Sequence, residues 1–264
     1  MLLAAPAAAA TSACESPAHA TAALANAESL DTLAWAPFAR PETGWAVYVP
    51  LIQRELATDC PPQSGGFAAA LAGWQARHGL AGDGVMSEPT FLAMKEELQG
   101  RRPFFRLSAA GICPETADVI ATAHADEGLE GKTVWLRPDA LAAYRALVAA
   151  ARAEVPDAAA EPLMLKIFSG YRSPTLDAAR CQAEGNCDGI ARARCSSHRT
   201  GMALDLYLGH AEGFSADSTA PANRLQLSRS ATYRWLLANA ARFGFVNYPF
   251  EPWHWEWTGG PASP

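Results

Sequence analysis

His198, Asp205 and His254 are residue types that hold a zinc ion, and Glu251 and Glu256 flank the last of them. Two imidazoles and one carboxylate leave the fourth position of a tetrahedral zinc open to water, as a hydrolytic site requires. A carboxylate near that water can take its proton. His198 and Asp205 are seven residues apart, with Gly201 between them. On a single helix that spacing is about two turns, too far for one ion. Gly201 instead permits a bend from a loop into a strand over residues 202–208, which can return Asp205 to His198.

The second acidic residue leaves two readings open. On a strand over residues 253–257, His254 and Glu256 share one face, and Trp253, Trp255 and Trp257 share the other. Periodicity alone therefore puts Glu256 nearest a metal. Pro252 fixes its own φ and holds Glu251 extended, so a bend before the strand can bring Glu251 in from the loop. Glu256 would then orient a ligand or end a surface ion pair. Elsewhere, Ser169-Gly170-Tyr171-Arg172-Ser173 follows an apolar strand over residues 163–168. Arg172 offers planar paired donors to a carbonyl or carboxylate; the plainer reading is an Arg that ties down a loop.

The strings Ser196-Ser197-His198-Arg199-Thr200-Gly201-Met202-Ala203-Leu204-Asp205 and Glu251-Pro252-Trp253-His254 resemble the S-x-H-x-x-G-x-A-x-D and E-x-W-H signatures of the VanY-type D-alanyl-D-alanine carboxypeptidases. That family belongs to the zinc peptidase superfamily that also holds lysostaphin and the hedgehog signalling domain. The segment around Arg172 resembles the family's S-G-Y-R-S, and the resemblance covers roughly residues 133–258. It implies Zn2+ on His198, Asp205 and His254, with Glu251 as general base. It implies that Arg172 binds substrate and steadies charge, with Ser196, Tyr171, Ser169 and Trp253 as further substrate contacts. The reaction implied is removal of the terminal D-Ala from peptidoglycan stem peptides. Two departures bear on the pocket's shape: Gln182 comes late after the Arg172 motif, and a cysteine-bearing insertion runs from Cys181 to Cys195. An endopeptidase of the same superfamily usually carries a D-x-x-H-type last motif, so E-P-W-H speaks against it. An inactive zinc-stabilised wall-binding protein would not need Glu251 and Arg172. His19, His78, His124 and His210 match nothing and read as surface or packing residues.

The elements around these motifs imply an α+β class: a small antiparallel sheet flanked by helices carries the zinc site, and a small helical domain precedes it. Residues 138–154 read as a helix, with Pro138 in its first turn and a stripe of Leu141, Tyr144, Leu147, Val148 and Ala151. Residues 231–243 read as another, stopped by Gly244. Residues 133–136 are a short strand candidate. Four regions result: a leader and linker over 1–43, disordered if retained; a helical module over 44–100; a connector over 101–131, with a helix over 114–126; and a catalytic domain over 132–264. In the second, Trp74-Gln75 through Gly79-Leu80, then Asp83-Gly84 and Thr90, resemble the three-helix peptidoglycan-binding module, with Trp74 in place of Phe and Ser87 in place of the last Gly. A helical cap on the enzyme is the plainer reading.

Composition narrows the function classes. The chain has 264 residues, 18% of them charged, and a net charge of −6, which lacks the basic footprint of a nucleic-acid binder. No apolar run reaches the roughly 18 residues of a membrane span. The Ala-rich start reads as the later part of a secretory signal, though no Lys or Arg precedes its apolar stretch. Thr11-Ser12-Ala13-Cys14 is a loose lipobox, so a lipid anchor at Cys14 is an open alternative. Six cysteines suit an exported, periplasmic or wall-associated protein with disulfides. Cys181, Cys187 and Cys195 read as a disulfide-pinned loop, or else as a second metal site. The expected form is a monomer acting on stem peptides.

Overall fold

The computed structural model describes residues 14–183 and 196–260, so Cys187 and Cys195 lie outside the description. The chain divides into two units, Met1–Glu97 and Leu98–Pro264.

The first unit contains helices α1 (Ala20–Ser29), α2 (Val49–Leu56) and α3 (Gly65–Arg77), the hairpin β1 (Ala34–Trp35) and β2 (Glu42–Thr43), and most of α4 (Glu88–Gly100). Trp45, Tyr48, Phe67, Leu71, Trp74, Phe91 and Met94 are buried within it. Residues 14–43 are therefore not a disordered linker: α1 buries Ala22, Ala23 and Asn26. The Asn26 side chain donates to the Gly84 carbonyl and accepts from the Met86 N–H. The residues that resemble a wall-binding module are tied to each other. The Gln75 amide donates to Asp83, Val85 and Thr90 and accepts from the Gly84 N–H. That motif shapes the module's interior, whatever its outer surface binds.

Cys14 and Cys60 form a disulfide with Cα atoms 5.3 Å apart. A lipid anchor at Cys14 would compete for the same sulfur. Closing a loop of 46 residues is worth about 4 kcal/mol in the chain-entropy account. Cys60→Ser should lower the stability of the first unit by up to about that amount. Denaturant unfolding followed through its tryptophans should show the loss, and added reductant should reproduce it in the native chain.

The second unit carries α5 (Phe105–Ala109), β3 (Ala121–Thr122), β4 (Trp135–Leu136), α6 (Pro138–Glu154), α7 (Pro156–Ala160), β5 (Ile167–Ser169), α8 (Pro174–Ala183), β6 (Ala203–Leu206), α9 (Pro221–Ser228), α10 (Ala231–Asn239), β7 (Phe245–Tyr248) and β8 (Glu251–Trp257). Its main sheet is antiparallel, in the order β5-β6-β8-β7. The class is α+β, as the sequence implies. Residues 101–131 are part of this unit, and where a helix over 114–126 was expected, β3 pairs with β4.

Burial explains the layering. Helix α6 turns Leu141, Tyr144, Leu147 and Ala151 inward, and the Tyr144 hydroxyl donates to the Leu165 carbonyl. Against that face lie Leu204, Leu206, Trp255 and Trp257 from one side of the sheet. Alternation then forces Ala203, Asp205, His254 and Glu256 to the other side. There Asp205 pairs in register with His254, and Ala203 with Glu256.

Candidate active site

Three elements converge on the polar side of the sheet. A 3-10 turn, Ser197–Thr200, carries His198; the Ser196 hydroxyl caps it by accepting from the His198 N–H. Gly201 ends the turn with φ +67, and a Cβ there would come within 3.1 Å of the Arg137 backbone nitrogen. Only glycine suits both the left-handed conformation and that approach, so the expected bend into β6 is built on it. Strand β6 delivers Asp205, and β8 delivers His254 opposite it.

His198, Asp205 and His254 are buried, and each offers one ligand atom within 4.8 Å of the others. His198 Nε2 lies 3.3 Å from Asp205 Oδ2, and His254 Nδ1 lies 2.8 Å from Asp205 Oδ1. The outward nitrogens are engaged as well. His198 Nδ1 is 2.7 Å from the Gly170 carbonyl. His254 Nε2 is 3.2 Å from both Glu256 Oε1 and the Ser197 hydroxyl. Hydrogen-bonded outer nitrogens fix ring orientation and tautomer, as metal-binding histidines require. Gly170 makes its contact possible, because a Cβ there would sit 2.5 Å from the Trp135 carbonyl oxygen.

Two imidazoles sharing one carboxylate set the local charge. Burial, with the Arg172 charge adding to it, holds His198 below the usual histidine range despite Asp205. Burial also disfavours charge on His254, but the hydrogen bonds its ring donates to Asp205 and Glu256 outweigh it and raise the ring to about 9. Burial would push Asp205 up; the two imidazoles outweigh it and hold the carboxyl well below its usual range. A neutral His198 and an ionised Asp205 are in the protonation states that a divalent cation needs. The borderline-soft N, O, N donor set suits zinc.

Arg172 stands at the edge of this cluster, largely withdrawn from water. Its guanidinium donates to Asp177 Oδ1 at 3.2 Å, and to the Ser169 and Ser196 hydroxyls at 2.8 Å each. Burial lowers its pKa, with the Asp205 charge opposing. Ser169 and Ser196, expected as substrate contacts, thus accept from Arg172 here, and each hydroxyl keeps its own proton to donate. Asp177 also accepts from Arg199 at 3.3 Å, so it braces both arginines, and no motif around it marks that role. Tyr171 is half-buried, and its N–H donates to the Trp135 carbonyl.

Trp253, expected as a substrate contact, lies in the core. It is 3% exposed and packs in the main core with Trp255 and Trp257, so it offers no face to a substrate. Glu251 opens β8 and is half-buried. The pairing of β7 with β8 jumps from Asn247↔Trp255 to Tyr248↔Glu251, so Pro252, Trp253 and His254 bulge from the ladder. The Asn247 amide spans the bulge, donating to the carbonyls of Glu251, Pro252 and His254 at 3.2, 3.4 and 2.9 Å. From α9, the buried Arg224 holds the preceding Phe250 carbonyl at 2.9 Å. Strict alternation, the argument for Glu256 as the acid, therefore does not extend back to Glu251. Glu256 is fully buried and paired with Arg102, so it ends no surface ion pair. Burial would raise its carboxyl; the Arg102 charge and the His254 hydrogen bond outweigh that and hold it at about 2.

Cys113 and Cys181 each take part in a disulfide, and no described cysteine is free. The expected bond among Cys181, Cys187 and Cys195 falls partly outside the described residues. Among described residues, the only convergent metal-ligating group is the His-Asp-His cluster. No helix of the described residues is long and apolar enough to cross a membrane.

Residues 133–260 match the family model described as VanY, D-alanyl-D-alanine carboxypeptidase. A comparison with curated proteins finds no match.

Proposed function

We infer, from a chain whose residues 133–260 form a VanY-type domain, that it is a zinc-dependent D,D-carboxypeptidase releasing the terminal D-Ala of peptidoglycan stem peptides. The observation that carries this reading is the buried His198–Asp205–His254 cluster, which joins the family match to a usable donor set. These three residues would hold the ion, which when bound supplies a Lewis acid and acidifies water. Glu251 takes a proton from the attacking water and returns it to the departing D-Ala amine. Arg172 turns its planar donors toward the negative oxygen that develops, or toward the substrate carboxylate. Asp177, Ser169 and Ser196 hold the guanidinium ready, so little ordering remains to be done when substrate arrives. The disulfide between Cys14 and Cys60 favours an oxidising compartment, which agrees with export to the wall.

The test is product analysis. The zinc-loaded chain, given a stem pentapeptide, should release free D-Ala and leave the tetrapeptide. Internal cleavage would support an endopeptidase instead. Bound zinc without cleavage of any stem peptide would support an inactive wall-binding protein. Within the active enzyme, Arg172→Ala should cut turnover by on the order of 10²–10³, by analogy with losing an oxyanion donor. Steady-state kinetics on the same peptide would show it, and a loss confined to KM would assign Arg172 to substrate binding alone.

A further inference from the structure

Glu256 is an expensive residue where it stands. It is fully buried, and among the described residues its Oε2 has no hydrogen-bond partner. All its pairing runs through Oε1, which takes Arg102 Nε at 3.2 Å, a second Arg102 nitrogen, and His254 Nε2 at 3.2 Å. A buried carboxylate with one bare oxygen is poor value for stability, and an apolar side chain there would cost less. The neighbour in register is Ala203, which gives the carboxylate nothing. Its one partner inside the site is the imidazole of His254.

Arg102 is held as deliberately. Its guanidinium lies 4.3 Å from the centre of the Tyr248 ring, and its Nη1 donates to Gln99 Oε1 at 2.6 Å. Its side chain is 15% exposed. Residue 102 precedes the family-matched segment but belongs to the same compact unit.

We propose that Glu256 and Arg102 form a positioning relay for His254, in which Arg102 aims the Glu256 carboxylate at Nε2 and so presents Nδ1 to the metal. The chemistry is directional. With Nε2–H donated to a carboxylate, Nδ1 keeps its lone pair and becomes a stronger donor. Arg102 supplies the counter-charge that lets a carboxylate remain ionised away from water. The working metal centre thus extends beyond the matched domain, to a side chain ahead of it. This relay rests on the metal reading of His198, Asp205 and His254, but on nothing about substrate.

The test needs no turnover. Full-length chain is stripped of metal, and its zinc dissociation constant is measured at one pH by competition with a chromophoric chelator. Glu256→Gln and Arg102→Ala should each weaken zinc by roughly 10–100-fold, as loss of an outer carboxylate partner does. Arg102→Lys should recover part of the affinity. The double variant should be no weaker than the worse single one, because both act through one imidazole. The cobalt-substituted protein should show a shifted visible band in the weakened variants, which a general loss of stability would not produce. Zinc affinity within about twofold of native in both single variants, well short of that range, would overturn the relay. Should Arg102→Ala fail to fold, the nearly isosteric Glu256→Gln decides alone. Native chain that takes up no zinc would defeat the ligand set and the relay together. Tight native binding with indifferent variants defeats the relay only.

Discussion

Glu251→Gln should leave zinc in place and reduce turnover by roughly 10²–10⁴, the usual worth of a general acid–base group. The amide is nearly the same size as the carboxylate, and the three candidate ligands are untouched. Substrate affinity should change far less, because the proton is moved in the transition state and not on binding. Elemental analysis and single-turnover kinetics on one preparation would separate the two effects. Glu256→Gln, measured at saturating zinc, should be mild beside it, because Glu256 acts through His254. A near-normal Glu251→Gln enzyme and a dead, zinc-replete Glu256→Gln enzyme would reverse the two roles. Glu256 Oε1 is shared by Arg102 and His254, so its loss should be read first in the metal and only through it in turnover.

His198→Ala or His254→Ala should abolish activity and leave the chain with little or no zinc after dialysis. Each removes one of three protein ligands, and Asp205 with a single imidazole makes a poor site for zinc. Full zinc content in either variant would refute the ligand set. Metal uptake should also be acid-sensitive. Burial disfavours a proton on His254, yet Asp205 and Glu256 hold the ring at about 9 without metal. Zinc must displace that proton, so its affinity weakens as pH falls through and below that value. Titration in weakly buffered solution should record acidification as zinc is added.

The candidate site was legible where chemistry is written in local strings. His198, Asp205 and His254 fall together because Gly201 turns the chain and the β6–β8 register does the rest. The amphipathic stripe of α6 and the Gly244 stop after residues 240–243 were legible for similar reasons. What was missed depends on contacts that cross the sequence. Arg102 reaches Glu256 over 154 positions, and nothing around residue 102 marks that. Asn247 and Arg224 shape the approach to Glu251 through backbone carbonyls, which have no sequence signature. Trp253 was misassigned because its motif neighbours serve the site while it packs in the core. Helix α1 escaped notice because its buried face is Ala22, Ala23 and Asn26, too small and too polar to register as an apolar stripe.

The strand order has a consequence for how the enzyme matures. β8 follows β7 in the chain but lies between β6 and β7 in the sheet. A chain emerging from its N-terminus therefore exposes His198 and Asp205 well before the strand that must slot between its neighbours exists. Until then β6 has an open edge, and the incipient pocket holds one imidazole beside an unshared carboxylate. Tight capture of metal has to wait for residues 251–257, which complete the sheet and the donor set in one event.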